Sequence, residues 1–138
     1  MGDRFVDTHS EPFDPETYIR MLIAIAKADK DNGPKEFGYV RKRAERLRLD
    51  YDRFLASTEK TFATERLSIS RVTALAVLRD AITLASMDRN FSLPEREKIY
   101  TFAAKMDISL RDLEHLEEWI REYRALRQKW NELVAGAY

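Results

Sequence analysis

The chain has 138 residues, enough for one ordinary domain with a single buried core. Its 24 basic and 24 acidic side chains cancel, which argues against an attraction of the whole molecule to nucleic acid or anionic lipid. The absence of cysteine excludes disulfides, a thiolate nucleophile and thiolate metal sites, and it suits a cytoplasmic location.

Residues 1–13 are polar, acidic and without periodicity, and they lack the basic start and apolar centre of a signal peptide. We predict that they form a flexible N-terminal tail. The longest apolar run, Met21 to Ala26, is far shorter than the ~20 residues that span a bilayer. Residues 14–138 are therefore expected to form one domain without a transmembrane segment.

Three helices are predicted in the first part of this domain. Asp14 and Pro15 are a typical helix start, and apolar residues then recur at helical spacing, at Tyr18, Ile19, Leu22, Ile23 and Ala26. Pro34 begins a second helix with an inner stripe of Phe37, Val40, Ala44 and Leu47. Asp50 caps a third helix, which carries Phe54 and Leu55. Residues 57–70 are predicted to be a partly helical connector.

Three further helices come after the connector. Ser70 caps the first of them, whose inner stripe is predicted to be Val72, Leu75, Leu78, Ala81, Ile82 and Ala85. The stretch from Ser92 to Glu95 is a capping-box pattern that opens the next helix. Ser109 caps a last helix of about 25 residues, or ~37 Å at 1.5 Å per residue, longer than its neighbours can cover.

The sequence repeats itself at a shift of 59 positions. This shift places Asp29 on Asp88 and Glu36 on Glu95, at the turns after the first helix of each half. The apolar positions of the neighbouring helices keep the same register, so we predict repeat units at about residues 15–56 and 74–115. The expected fold is an all-α bundle of six to seven helices built from two related helical units.

Two interpretations of the repeated acidic turns are open. Their oxygen-bearing side chains could cap the next helix, or they could hold a divalent cation such as Ca²⁺ or Mg²⁺. The candidate ligands are Asp29, Asp31 and Glu36 in the first turn and Asp88, Asn90 and Glu95 in the second. Neither turn fits the EF-hand, because Pro34 and Leu93 stand where that loop needs glycine.

At these turns the sequence resembles the TerB-like family of tellurite-resistance domains, which also occur at the front of some DnaJ-type co-chaperones. The resemblance lies in the segments 22–29 and 34–36 and in their counterparts, 82–88 and 91–95. Where the family usually has glycine after the acidic residue, this chain has Lys30 and Arg89. The resemblance implies a non-catalytic stress-response module, cytoplasmic and associated with membrane complexes at the inner face.

Residues that could support catalysis are few. Only His9 and His115 are present, and the four glycines are too scattered for a phosphate-binding loop. We therefore expect a protein that is not an enzyme. The alternative from another class is a metal-dependent enzyme, or a hydrolase-like activity, that uses the acidic turns.

Two surfaces are candidates for binding. The basic patch of Arg41, Lys42, Arg43, Arg46 and Arg48 is interpreted as a solvated helix face, so a nucleic-acid partner is not expected. On the last helix, large apolar groups recur at Trp119, Tyr123, Leu126, Trp130 and Leu133. These residues either cover the core or form the interface of a homodimer or of another protein partner.

Overall fold

The computed structural model describes residues 12–28, 33–64, 68–86 and 93–138, which form six α-helices and one 3-10 helix and contain no β-strand. The α-helices are α1 (Pro15–Ala28), α2 (Pro34–Arg46), α3 (Tyr51–Ser57), α4 (Arg71–Ala85), α5 (Leu93–Lys105) and α6 (Leu110–Ala135). The 3-10 helix, Lys60–Thr64, lies in the predicted connector. The all-helical prediction is confirmed for this part of the chain. Residues 1–11 of the predicted tail lie outside it.

α1 is the central helix of the fold. It contacts α2, α3, α4 and the 3-10 helix, and all five residues of its predicted stripe are buried. Asp14 fixes its start, since its carboxylate accepts hydrogen bonds from the Thr17 amide at 3.2 Å and the Thr17 hydroxyl at 2.6 Å. At its other end, Lys27 Nζ donates to the Thr58 carbonyl at 2.7 Å. Both ends of α1 are therefore fixed by specific polar contacts.

The two middle helices, α2 and α5, each span 13 residues and end in the same way. Arg48 and Asp107 have left-handed φ values of 59° and 63°, and they lie 59 positions apart. In both turns the amide of the next residue reaches back to a buried alanine carbonyl at 2.9 Å. This is the hydrogen bond of a Schellman motif, which satisfies a carbonyl that the helix end would leave unpaired.

The same kind of N-cap comes after each of these turns. The Asp50 carboxylate accepts from the Arg53 amide at 3.3 Å, and the Ser109 hydroxyl accepts from the Asp112 amide at 3.1 Å. α3 and α6 thus begin 59 positions apart, but α3 has 7 residues and α6 has 26. The bounds of α2 and α5 and the starts of α3 and α6 thus keep the shift of 59 seen in the sequence, whereas the bounds of α1 and α4 and the ends of α3 and α6 do not.

The predicted stripe of α4 is partly wrong. Val72 is 44% exposed, and the buried face consists of Thr73, Ala74, Val77, Leu78, Asp80, Ala81, Ile82 and Leu84. The face is this wide because α4 contacts α1, α5 and α6. It includes two polar side chains, Thr73 and Asp80, which are stable there only because each is hydrogen-bonded. The Thr73 hydroxyl accepts from the Asp14 amide at 2.9 Å.

Candidate functional site

A fully buried carboxylate lies where α1, α2 and α4 meet. Asp80, on α4, is 0% exposed. Its Oδ2 accepts a short hydrogen bond from the Tyr18 hydroxyl of α1, and its Oδ1 accepts one from the Tyr39 hydroxyl of α2 at 2.6 Å. Asp80 therefore joins three helices through a single side chain.

Two arginines complete the shell around this carboxylate. Arg79 binds both oxygens, with Nε 3.2 Å from Oδ1 and Nη2 2.9 Å from Oδ2. Arg43 Nη2 lies 3.5 Å from Oδ1 and donates to the Tyr39 hydroxyl at 2.9 Å. A buried charge is tolerated when it is paired and hydrogen-bonded in this way. We call Tyr18, Tyr39, Arg43, Arg79 and Asp80 the carboxylate cluster.

The protonation states in the cluster depend on burial and on the charge of Asp80. Burial, with the Asp80 charge as a second cause, raises the pKa of the Tyr18 hydroxyl. Burial also raises the pKa of Tyr39, helped by its hydrogen bond to Asp80. The hydrogen bond to Asp80 raises the pKa of Arg79. At neutral pH both tyrosines are therefore hydrogen-bond donors and the arginine is charged.

A cavity of about 360 Å³ opens above the cluster, between α2, α4 and α6. Arg43, Arg46, Arg79, Arg124 and Arg127 line it, and Asp80 is the one acidic residue among the lining side chains described. Because Arg43 and Arg79 already pair with Asp80, the other three arginines contribute positive charge that this carboxylate does not cancel. We call this space the arginine cavity.

One side of the arginine cavity is aromatic. Trp119 and Tyr123 of α6 both line it, and their rings stack with centroids 5.5 Å apart and planes 16° apart. The two side chains are 49% and 50% exposed. Arg124, the next residue of α6, is held by a 3.0 Å hydrogen bond from its Nη2 to the Ser86 hydroxyl. The cavity therefore combines guanidinium donors with accessible aromatic surface.

Ile120 is the last buried residue of α6. Leu113 and Ile120 are buried, whereas every residue from 121 to 131 is exposed. Trp119, Tyr123, Leu126, Trp130 and Leu133 do not cover the core, since each is about half exposed or more. We call these five residues the α6 seam. Of the two roles that the sequence left open for them, covering the core is excluded within a single chain.

The acidic turns lie mostly outside the described residues. Asp29, Asp31, Asp88 and Asn90 are among the residues not described, so their geometry stays a prediction. Glu36 Oε1 accepts from the Gly33 amide at 3.4 Å, the contact expected of a capping box, and Glu95 lies in the first turn of α5. Within residues 12–28, 33–64, 68–86 and 93–138, no three His, Asp or Glu side chains form a group that could hold a metal.

The basic patch does not form one surface. Arg41 turns toward α3, where it pairs with Asp52 at 3.1 Å and lies over the Tyr51 ring at 4.7 Å. Arg43 was expected to face solvent, but it is half-buried in the carboxylate cluster because Asp80 attracts it. Arg46 lines the arginine cavity, while Lys42 and Arg48 are exposed. The patch therefore divides between two sides of α2.

The carboxylate cluster and the cavity above it were not predicted from the sequence. One signal was available: Asp80 comes three positions after Val77 and four before Leu84, so it lies on an apolar face of α4. An unpaired acid there would be costly, which implies a buried partner. Nothing in the local sequence identifies Tyr18, Tyr39 and Arg43 as those partners, since they come from other helices.

No protein-family model matches the chain, and no curated protein or solved structure matches it significantly. None of the helices in the described segments is long and apolar enough to cross a bilayer.

Proposed function

We propose that this protein is a non-catalytic interaction module of the TerB-like kind that pairs with a second copy of itself through α6. The observation that carries the proposal is the exposed α6 seam. Its residues succeed one another at intervals of four, three, four and three, which is the a/d spacing of a left-handed coiled coil. A monomer gains nothing from leaving such a stripe in water, whereas a pair of helices buries it.

The charges beside the seam fit a parallel pair. With Tyr123 and Trp130 at a positions, Glu122 falls on a g position and Arg127 on the following e position. In a parallel coiled coil, g of one helix faces e of the other, five residues further on. A symmetric pair therefore brings Glu122 of each copy toward Arg127 of the other. Both copies contribute the same surface to the interface, as two-fold symmetry requires.

The wider role rests on the sequence resemblance. We infer a stress-response module of the tellurite-resistance kind, acting in the cytoplasm or at the inner face of the membrane as part of a larger complex. Supporting this inference are the all-helical fold, the doubled helix-turn-helix pattern and the near-identical helix ends at Arg48 and Asp107. A pull-down from the native host, analysed by mass spectrometry, tests it by identifying the complex.

Analytical ultracentrifugation tests the pairing. The full chain is expected to sediment as a dimer, twice the 16.2 kDa of one copy, at tens of micromolar. The Leu126→Glu/Leu133→Glu variant is expected to be a monomer with unchanged helicity, because both side chains are exposed in the single chain. The matched control, Gln128→Glu/Asn131→Glu, adds the same charge off the seam and should leave the dimer intact.

The absence of cysteine makes the orientation testable as well. A Leu133→Cys chain should form a disulfide with its partner on mild oxidation, since a d residue faces its own copy in a parallel pair. Gln128→Cys, on the outer face, should not. A wild-type chain that is monomeric at several hundred micromolar contradicts the proposal. Cleavage or truncation after Arg124 should likewise abolish pairing without unfolding the rest.

The acidic turns stay a separate prediction. Titration with Ca²⁺ or Mg²⁺ to millimolar concentrations, followed by the melting temperature, tests whether Asp29 and Asp88 belong to cation sites. Asp29→Ala/Asp88→Ala then separates the two functional classes. An interaction module keeps its partner after this change, whereas a metal-dependent enzyme loses its activity and keeps its fold.

A further inference from the structure

We propose that the arginine cavity binds a small phosphorylated ligand that carries a planar ring, the chemistry of a nucleotide. The site shares Trp119 and Tyr123 with the α6 seam, but it does not include Leu126, Trp130 or Leu133. Two features point to this class of ligand: an excess of guanidinium groups around one partly open cavity, and a stacked aromatic pair at the edge of the same cavity.

The first feature is the positive charge of three arginines, which is uncompensated within a single chain; in the proposed pair, Glu122 of the second copy would approach Arg127. Of the five cavity arginines, Arg46, Arg124 and Arg127 form no ion pair with an acidic side chain in the described segments. Each guanidinium presents five N–H donors in a planar fork that matches phosphate oxygens. Three such groups around one space repel each other, and an anion with several oxygens relieves that repulsion.

Part of this charge is also held in place before any ligand binds. Asp80 fixes Arg79 through two contacts and Arg43 through one, and Ser86 fixes Arg124. Side chains that are already ordered lose less conformational entropy on binding. A solvated surface patch of long flexible side chains has no such anchor. Asp80 therefore holds Arg43 and Arg79 in fixed positions on the wall of the cavity.

The second feature, the aromatic pair, selects the rest of the ligand. Trp119 and Tyr123 line the cavity, and in a single chain about half of each side chain is exposed. Stacking of a nucleobase on such a ring contributes about 1–3 kcal/mol. A ligand with both a phosphate and a base would therefore bind more tightly than either part alone, because the arginines contact the phosphate and the aromatic rings contact the base. At about 360 Å³ the cavity lies in the lower part of the ~300–1,000 Å³ range of small-molecule sites. It is suited to a mononucleotide rather than to a long polymer.

Fluorescence and calorimetric titrations at low salt test the proposal. Trp130→Phe leaves Trp119 as the one tryptophan, so quenching reports on the cavity wall. ADP is expected to bind and quench Trp119, inorganic pyrophosphate to bind at least three-fold more weakly, and adenosine to bind at least ten-fold more weakly. Repeating the titration in the Leu126→Glu/Leu133→Glu background separates ligand binding from self-association.

Charge-removal variants assign the binding to the cavity. In the Leu126→Glu/Leu133→Glu background, where Arg127 has no partner copy, Arg46→Gln/Arg127→Gln is expected to weaken ADP binding at least ten-fold without lowering the melting temperature, because both side chains are exposed. Arg111→Gln/Arg121→Gln removes the same charge outside this cavity and should leave binding within two-fold. The proposal is overturned if ADP fails to bind at millimolar concentration, or if the two variants weaken binding equally. Pyrophosphate binding as tightly as ADP overturns the role of the aromatic wall.

Discussion

α1 buries Met21 against the core, whereas α4 buries Asp80 at the position that lies 59 residues further on. Both side chains are almost completely covered. The methionine belongs to the apolar core, but the carboxylate needs donors, and it takes them from Tyr18, Tyr39 and Arg43 of the first half and from its neighbour Arg79. At this pair of equivalent positions, the second half is therefore joined to the first by polar contacts, whereas Met21 offers only an apolar side chain.

A second difference lies beyond the shared helix ends. α3 stops after 7 residues, and the chain turns back into the 3-10 helix that covers α1. α6 begins with the same kind of N-cap but continues for 26 residues, well beyond Ile120, its last buried residue. Local capping decides where these helices begin, while their lengths depend on the downstream residues and on the surfaces available for packing.

The largest effect is expected from giving position 80 the residue of the other half. Asp80→Met should lower the free energy of unfolding by about 3–5 kcal/mol, because it strands buried donors, although methionine packs well at position 21. Urea unfolding measures this. The control Asp52→Ala removes the exposed partner of Arg41 and should cost less than about 1 kcal/mol.

Adding Tyr18→Phe to Asp80→Met should recover part of that loss, because one buried hydroxyl no longer lacks an acceptor. If Asp80→Met alone is as stable as the wild type, the contrast between the two halves has no energetic basis.

Alkaline pH should give the next largest effect. Unfolded tyrosines ionise near their ordinary pKa of 10.0, while Tyr18 and Tyr39 hold their protons to higher pH in the folded chain because burial and Asp80 raise the pKa of each. Their contribution to stability is therefore complete below pH 10. It is lost as the pH rises through the pKa values that the two tyrosines have in the folded chain. Unfolding experiments between pH 9 and 11 measure the slope.

Tyr18→Phe should reduce this slope by up to about 1.4 kcal/mol per pH unit, the contribution of one proton. An identical slope in the variant would contradict the assignment of a neutral, buried Tyr18 to the cluster.

The smallest expected effect tests the similarity of the halves. Arg48→Gly should stabilise the chain by about 1 kcal/mol, because glycine adopts a left-handed conformation without steric cost. Asp107→Gly should gain less, since aspartate tolerates this conformation better than arginine does. Lys42→Gly, in the interior of α2, should instead destabilise by about 1 kcal/mol. Thermal unfolding compares the three, and a loss of stability in the first two would mean that the turns are not alike.

Much of the fold could be predicted from local sequence. Pro15, Pro34, Asp50, Ser70 and Ser109 each mark a helix start, because capping depends on residues within one turn. The α1 stripe was also predictable, since five apolar residues at helical spacing leave little choice of buried face. The stripe of α4 was harder, because its alanines and threonine allow several faces to be buried and only the tertiary contacts select among them.

The arginine cavity could not be predicted in the same way. Its lining comes from α2, α4 and α6, and no periodicity relates Arg46 to Arg127. Arg43 illustrates the difficulty: its neighbours in sequence are charged and suggest a solvated face, but a carboxylate 37 residues away turns it inward. Interactions between helices decide the site, whereas the local pattern decides the helices.

The stacked rings of Trp119 and Tyr123 belong at once to the α6 seam and to the wall of the arginine cavity. If self-association and ligand binding both occur as proposed, they use common atoms and are thermodynamically linked. If a bound nucleotide weakens pairing by some factor, pairing weakens nucleotide affinity by the same factor, because coupling free energies are reciprocal. One aromatic pair would then let the concentration of a small metabolite set the fraction of the protein that is dimeric.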